Sequence, residues 1–221
     1  MLTWQVAAHG PLRTLDERLG RALASGGNSA GSAGFFVDLG TAAVALPVLS
    51  VVVVWAVWRS RHGASGRAIC DGASPRRWLP PLAAGLTAAA VPVLLVPLKA
   101  WLARPGPARM AGRTHEGFYP SGHGATAAVL YGLAVLLVIR RQRPTAAHPA
   151  ARALTPTLIT TVALLNAAIG LDLVRQGYHW PLDVLGSWCL SGVLLALWCE
   201  VCDRWSGGHR SAHPPGPANL P

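Results

Sequence analysis

Three short stretches of this chain hold the residue types from which a phosphate-handling site can be built. They are Lys99-Ala-Trp-Leu-Ala-Arg104-Pro105, Tyr119-Pro120-Ser121-Gly122-His123-Gly124 and Arg175-Gln-Gly-Tyr-His179-Trp-Pro-Leu-Asp183. Lys99, Arg104 and Arg175 supply fixed positive charge of the kind that pairs with phosphate oxygens. Ser121 and Gly122 open a predicted helix, whose unpaired N–H groups and positive dipole end receive an anion. His179 and Asp183 stand four apart around Pro181, a residue suited to a helix's first turn, so the two share a helical face. In that arrangement Asp183 holds the His179 tautomer that exposes a nucleophilic nitrogen. His123 then protonates the departing oxygen as general acid. Group by group, the residues describe phosphoryl transfer through a phosphohistidine, with no metal and no cofactor.

The elements that must position these residues are apolar. Of 221 residues, 52% are hydrophobic and only 13% charged, about half the charge of a soluble domain, and the mean hydropathy is +0.37. Disorder, collagen and coiled coil are excluded by this composition and by the lack of a triplet or heptad repeat. Five apolar runs cover 35–58, 79–102, 124–139, 154–171 and 184–201. A span needs about 20 mainly apolar residues, so four suffice and the third must recruit flanking residues. Helix is the economical choice, because lipid leaves each segment to satisfy its own amides. The expected fold is all-α: a polytopic transmembrane bundle of about five spans plus an N-terminal amphipathic interfacial helix.

Pro11 to Leu23 reads as that helix, with Leu12, Leu15, Leu19 and Leu23 at helical spacing and Thr14-x-x-Glu17 as a capping box. The net charge of +10 is read as topological rather than as a nucleic-acid footprint, because cytoplasmic loops collect basic residues. Eleven basic residues fall on one side of the membrane and eight on the other, where all three polar clusters lie. The bias places the N-terminus and the site outside, in the plasma (inner) membrane. Trp55, Trp58, Trp101, Trp180, Trp198 and Trp205 near the run ends read as interfacial aromatics. Three regions result: an extracytoplasmic amphipathic segment 1–34, a transmembrane domain 35–201 and a flexible cytoplasmic tail 202–221. The pair Cys199 and Cys202, followed by His209 and His213, reads as helix-packed thiols rather than a zinc site.

The ordered clusters resemble the type-2 phosphatidic acid phosphatase superfamily, which includes membrane lipid phosphatases and the vanadium haloperoxidases. Its motifs run Lys-x6-Arg-Pro, Pro-Ser-Gly-His and Ser-Arg-x5-His-x3-Asp. Pro120-Ser121-Gly122-His123 matches in full and His179-x3-Asp183 matches in spacing. The resemblance implies His179 as nucleophile, Asp183 as its partner, His123 as acid, and Lys99, Ser121 and Gly122 as phosphate ligands. It also marks departures. Gly106 stands where the first motif has arginine, and Asp172 and Leu173 stand where the third has Ser-Arg. Arg104 and Arg175, each two residues away, are the arginines at hand to complete the phosphate clamp. Related membrane enzymes usually carry a sixth span, ahead of the amphipathic segment.

The expected activity is metal-independent hydrolysis of a lipid phosphate monoester or pyrophosphate in the membrane. The alternatives are a non-catalytic lipid-phosphate-binding protein of the same fold and a phosphoryl or headgroup transferase. Arg109 and Arg113 read as solvated loop charges that help attract an anionic headgroup. His9, His62, His115, His148, His209 and His213 read as polar surface residues. The expected partners are the lipid phosphate substrate and membrane lipids, without nucleic acid.

Overall fold

Long apolar runs with at most one charge must bury their amides in helices, and this is what the chain does. The computed structural model describes residues 2–8, 10–26, 34–62, 78–112, 117–141 and 149–207. Two short helices and one of intermediate length come from the N-terminal region: α1 (Leu2–Ala7), α2 (Pro11–Ser25) and α3 (Phe35–Leu39). Five long helices follow: α4 (Ala42–His62), α5 (Leu79–Leu102), α6 (Gly122–Arg141), α7 (Pro149–Arg175) and α8 (Pro181–Gly207). All five are long and apolar enough to cross a membrane, and the protein is an integral membrane protein. Among the described residues there is no strand.

α6 is the central helix and packs against α4, α5, α7 and α8. Its small residues allow close approach, as in other membrane interfaces. A Cβ on Gly124 would run into the Ser187 Oγ of α8, and one on Gly132 would stand 2.6 Å from a Leu195 methyl. At one end of the bundle Arg140 donates to Asp203 at 2.8 Å and Trp198 Nε1 to the Pro80 carbonyl at 3.3 Å. At the other end the Ser121 N–H donates to the Asp183 carbonyl at 2.9 Å and the Phe118 N–H to the Arg104 carbonyl at 2.9 Å. α6 and α8 therefore run parallel, with α5 opposed. The three polar clusters meet at that second end.

Several boundaries differ from the sequence expectation. The first apolar run is broken: α3 stops at Gly40, and the span begins at Ala42. Gly40 is wedged, since a Cβ there would lie 2.9 Å from the Ile169 side chain. The third run gains Gly122, His123, Arg140 and Arg141 to reach 20 residues. α5, by contrast, covers the second run as read, Leu79–Leu102, with Pro92 and Pro97 inside it. α8 runs on to Gly207, so the segment from residue 202 starts as helix. The capping box is replaced: α2 starts at Pro11 behind Gly10, without a side-chain cap, and Glu17 instead accepts from Arg13 at 3.0 Å. Trp58, Trp101 and Trp205 are exposed as interfacial residues should be, but Trp180 and Trp198 are buried packing residues.

Cys199 is half-buried and Cys202 buried on α8. Cys70, Arg113, His9, His115, His148, His209, His213, the loop carrying Arg67, Arg76 and Arg77, and the tail beyond Gly207 lie outside the described residues, as does the side chain of His62.

α2 is built inside out relative to a soluble amphipathic helix. Leu12, Leu15 and Leu19 are exposed, while Asp16 and Gly20 are buried against the bundle. Exposed leucines on the outside of a membrane protein face lipid.

Candidate active site

Each cluster sits at a helix end, where backbone polarity is free and side chains can converge. His179 and Trp180 precede α8, and Asp183 lies in its first turn. Asp183 is fully buried and His179 is 7% exposed. The His179 Nδ1 stands 3.5 Å from Asp183 Oδ2, and that oxygen also accepts the Trp180 N–H at 3.0 Å. Nδ1 is buried without a hydrogen-bond partner. Ser121 is fully buried, and its Oγ accepts the Gly124 N–H at 3.2 Å, capping α6.

His123, in the first turn of α6, is half-buried and lies within electrostatic reach of His179, Lys99 and Asp38. Lys99 occupies the last turn of α5, and a Cβ built on Gly122 would stand 3.7 Å from its Nζ. The two histidines, the lysine and the α6 N-terminus thus converge. Ala103, at φ 41°, caps α5 through its N–H to the Lys99 carbonyl and turns the chain, so Arg104 points inward. A left-handed alanine is rare and costs free energy that surrounding packing must offset.

Arg104 is 2% exposed and meets carboxylates on two sides. Its Nη1 donates to Asp183 Oδ1 at 2.5 Å and its Nη2 to Asp16 Oδ2 at 2.6 Å. Asp16 Oδ1 in turn accepts the Leu182 N–H at 2.7 Å. The structure therefore places Arg104 in an ion network behind His179, not in a clamp open to phosphate. Burial holds the Asp16 carboxyl above its usual range, against the Arg104 hydrogen bond that pulls it down. Asp16 escaped the sequence reading because it sits among leucines. Arg175 is exposed at the end of α7.

The family model of the PAP2 superfamily matches residues 80–206, more than half of the chain. The chain belongs to the PAP2 superfamily. Its fold is similar to that in the crystal structure of the first transmembrane PAP2-type phosphatidylglycerolphosphate phosphatase from Bacillus subtilis. The TM-score is 0.71 and the identity 18%, over 91% of this chain and 92% of that one. At that identity the likeness concerns the fold. No curated protein matches the sequence.

The places where this PAP2 chain departs from the motifs have physical occupants. At position 106 a Cβ would lie 2.6 Å from the Phe118 ring, and that ring stacks edge-on with His179, centroids 5.9 Å apart. Phe118 fills the space into which a side chain at 106 would grow. Leu173 is fully buried in the core, and its carbonyl accepts the Tyr178 N–H at 3.0 Å. Asp172 accepts the Val37 N–H at 3.3 Å, tying α7 to α3. Arg109, read from sequence as a loop charge, donates to the Gln176 carbonyl at 3.0 Å and stacks on Tyr178.

Two cavities flank the PAP2 motif residues. One, of about 480 Å³, is lined by His179, Arg175, Arg109, Arg21 and Glu17. The other, of about 830 Å³, is an apolar groove between α4 and α5 over α6, lined by Leu46, Val53, Gly85 and Leu95 and ending at Lys99 and Gly122. Among the described residues no group of three or more His, Cys, Asp or Glu is placed to hold a metal ion.

Proposed function

We propose that this PAP2 protein is a membrane lipid phosphatase, hydrolysing a phosphate monoester or pyrophosphate through a phosphohistidine on His179, without metal. The observation that carries this reading is the His179–Asp183 pair at 3.5 Å, set beside His123 and Lys99 at the end of an apolar groove. The groove takes the lipid chain. Lys99, Ser121 and Gly122 at the α6 N-terminus bind phosphate oxygens, and the Ser121 Oγ also accepts the Gly124 N–H as the α6 cap. Arg175 faces the polar part of the substrate from the basic cavity.

In the first step the His179 Nε2 lone pair forms a P–N bond as the P–O bond to the lipid breaks, and the leaving oxygen takes a proton from His123. In the second, water attacks phosphorus and gives a proton to His123. The P–N electron pair returns to Nε2, and inorganic phosphate leaves. Charge on the transferring group is met mainly by positioned cations and amides. Phosphatidate, phosphatidylglycerol phosphate and polyprenyl pyrophosphate all have the required chemistry. The second is the substrate class that the Bacillus subtilis protein's name states. The same basic-residue bias that orients the spans puts this site on the extracytoplasmic face.

The test is phosphate release from these three lipids by purified protein in detergent with EDTA, alongside His179→Ala. Release by the wild-type chain and none by the variant is expected. Full activity in His179→Ala refutes the mechanism. Arg104, engaged by two carboxylates, is the observation favouring a non-catalytic lipid-phosphate-binding protein. Binding without release would decide for it, and phosphate transfer to an alcohol without release would decide for a transferase.

A further inference from the structure

The buried ion network behind His179 contains one carboxylate that no sequence motif includes. We propose that Asp16, on the amphipathic helix α2, is a positioning residue for the phosphoryl-transfer site, holding Arg104 and the α8 N-terminus so that Asp183 can act on His179. The proposal rests on the phosphatase reading above.

The argument is one of charge and geometry. Asp183 shares its Oδ1 with Arg104 at 2.5 Å, a buried contact in which opposite charges cancel. An Asp183–Arg104 pair alone presents no net charge to the His179 Nδ1. Asp16, 5% exposed, places a second carboxylate on the far side of the same guanidinium at 2.6 Å. With both carboxylates ionised, two around one cation leave a net charge of about −1 on the network, and low-dielectric surroundings preserve its reach.

A His179 that bonds to phosphorus through Nε2 while keeping its Nδ1–H becomes cationic, and that surplus negative charge stabilises it. The second oxygen of Asp16 accepts the Leu182 N–H at 2.7 Å. That amide belongs to the first turn of α8, where no intrahelical carbonyl is available, and it neighbours Asp183 in the chain. One carboxylate therefore fixes both the charge and the helix end that carry the catalytic pair. A helix held only by packing would need neither contact. Gly20, one turn on, lets α2 sit flush on Trp180, whose ring a Cβ there would approach to 2.6 Å.

Asp16→Asn keeps the shape and an acceptor for Leu182 but removes the charge, whereas Asp16→Glu keeps the charge on a longer arm. Both variants are purified in detergent. Their kcat and KM are measured by phosphate release from whichever lipid of the panel the wild-type protein turns over, and their melting curves are recorded beside it. Asp16→Asn, whose amide nitrogen must replace one of two accepting oxygens, is expected to melt lower yet remain folded at the assay temperature, and to lose kcat on the order of 10-fold or more with KM within about twofold. Asp16→Glu is expected to keep more of kcat than Asp16→Asn. Wild-type kcat in Asp16→Asn overturns the proposal while leaving the phosphatase reading intact. An Asp16→Asn protein that cannot be isolated folded, or whose lost rate matches its lost folded fraction, assigns Asp16 to docking α2 and also overturns it. A wild-type protein that releases no phosphate from any lipid refutes the phosphatase reading and the proposal with it.

Discussion

Arg104→Ala separates a structural arginine from a phosphate ligand. The guanidinium is buried and paired at 2.5 and 2.6 Å with Asp183 and Asp16. Removing one partner of a buried ion pair costs about 3–5 kcal/mol, because the remaining charge is left without compensation. Here two carboxylates lose the same cation and face each other, so the upper part of that range applies. For a chain of this size such a loss, about 4–5 kcal/mol, lowers Tm by about 8–20 °C. The assay is thermal unfolding in detergent followed by tryptophan fluorescence, with Trp180 beside the network as reporter. The loss also depends on pH. Burial already holds Asp16 above its usual carboxyl range, and without Arg104 it rises further. An acid whose folded pKa is raised binds its proton more tightly when folded, so the variant regains stability as pH falls toward the ordinary value of 3.8. Its deficit against wild type is therefore larger at pH 8 than at pH 5. An unchanged Tm together with a raised KM would refute this reasoning and make Arg104 a phosphate ligand.

Gly106→Ala is expected to destabilise by about 1–3 kcal/mol through overpacking against Phe118 and to lower turnover by shifting the ring beside His179; melting and kinetics check both. Adding Phe118→Leu should return part of each loss. Gly85→Phe fills open space in the apolar groove. Displacing two chain methylenes costs about 1.6 kcal/mol, so KM for a long-chain lipid phosphate should rise roughly 15-fold while a short water-soluble monoester is unaffected. A cysteine placed at Thr114 should label with a membrane-impermeant reagent in intact cells, and one placed at Gln142 should not; the reverse puts the site on the cytoplasmic face.

The bundle was legible because apolar runs of spanning length have few alternatives in lipid. The His179–Asp183 pair was legible because a spacing of four residues on a helix start is a local geometric statement. Arg104 was not, because its partner Asp16 lies 88 residues away on a helix whose leucines dominate the pattern. A helix between protein and lipid buries its polar face and exposes its apolar one, so the leucines that mark α2 as interfacial, Leu12, Leu15 and Leu19, face outward and leave Asp16 to the bundle. The break at Gly40 was hidden inside a run apolar on both sides. The buried roles of Trp180 and Trp198 depend on carbonyls of Pro105 and Pro80, which proximity to a run end cannot reveal. Gly106 read as a missing arginine until Phe118 was seen to fill its space.

The span of chain between Asp16 and Leu182, 166 residues, sets an order of events during synthesis. The ribosome delivers α2 early and α8 last among the helices described, with Arg104 between them. Through the insertion of α4, α5, α6 and α7 the Asp16 carboxylate has no Leu182 amide to accept, and Arg104 has no Asp183. Only the arrival of the last span brings His179, Asp183 and the helix end that Asp16 pins. A nascent chain thus lacks the assembled polar network, which closes only with the completed bundle.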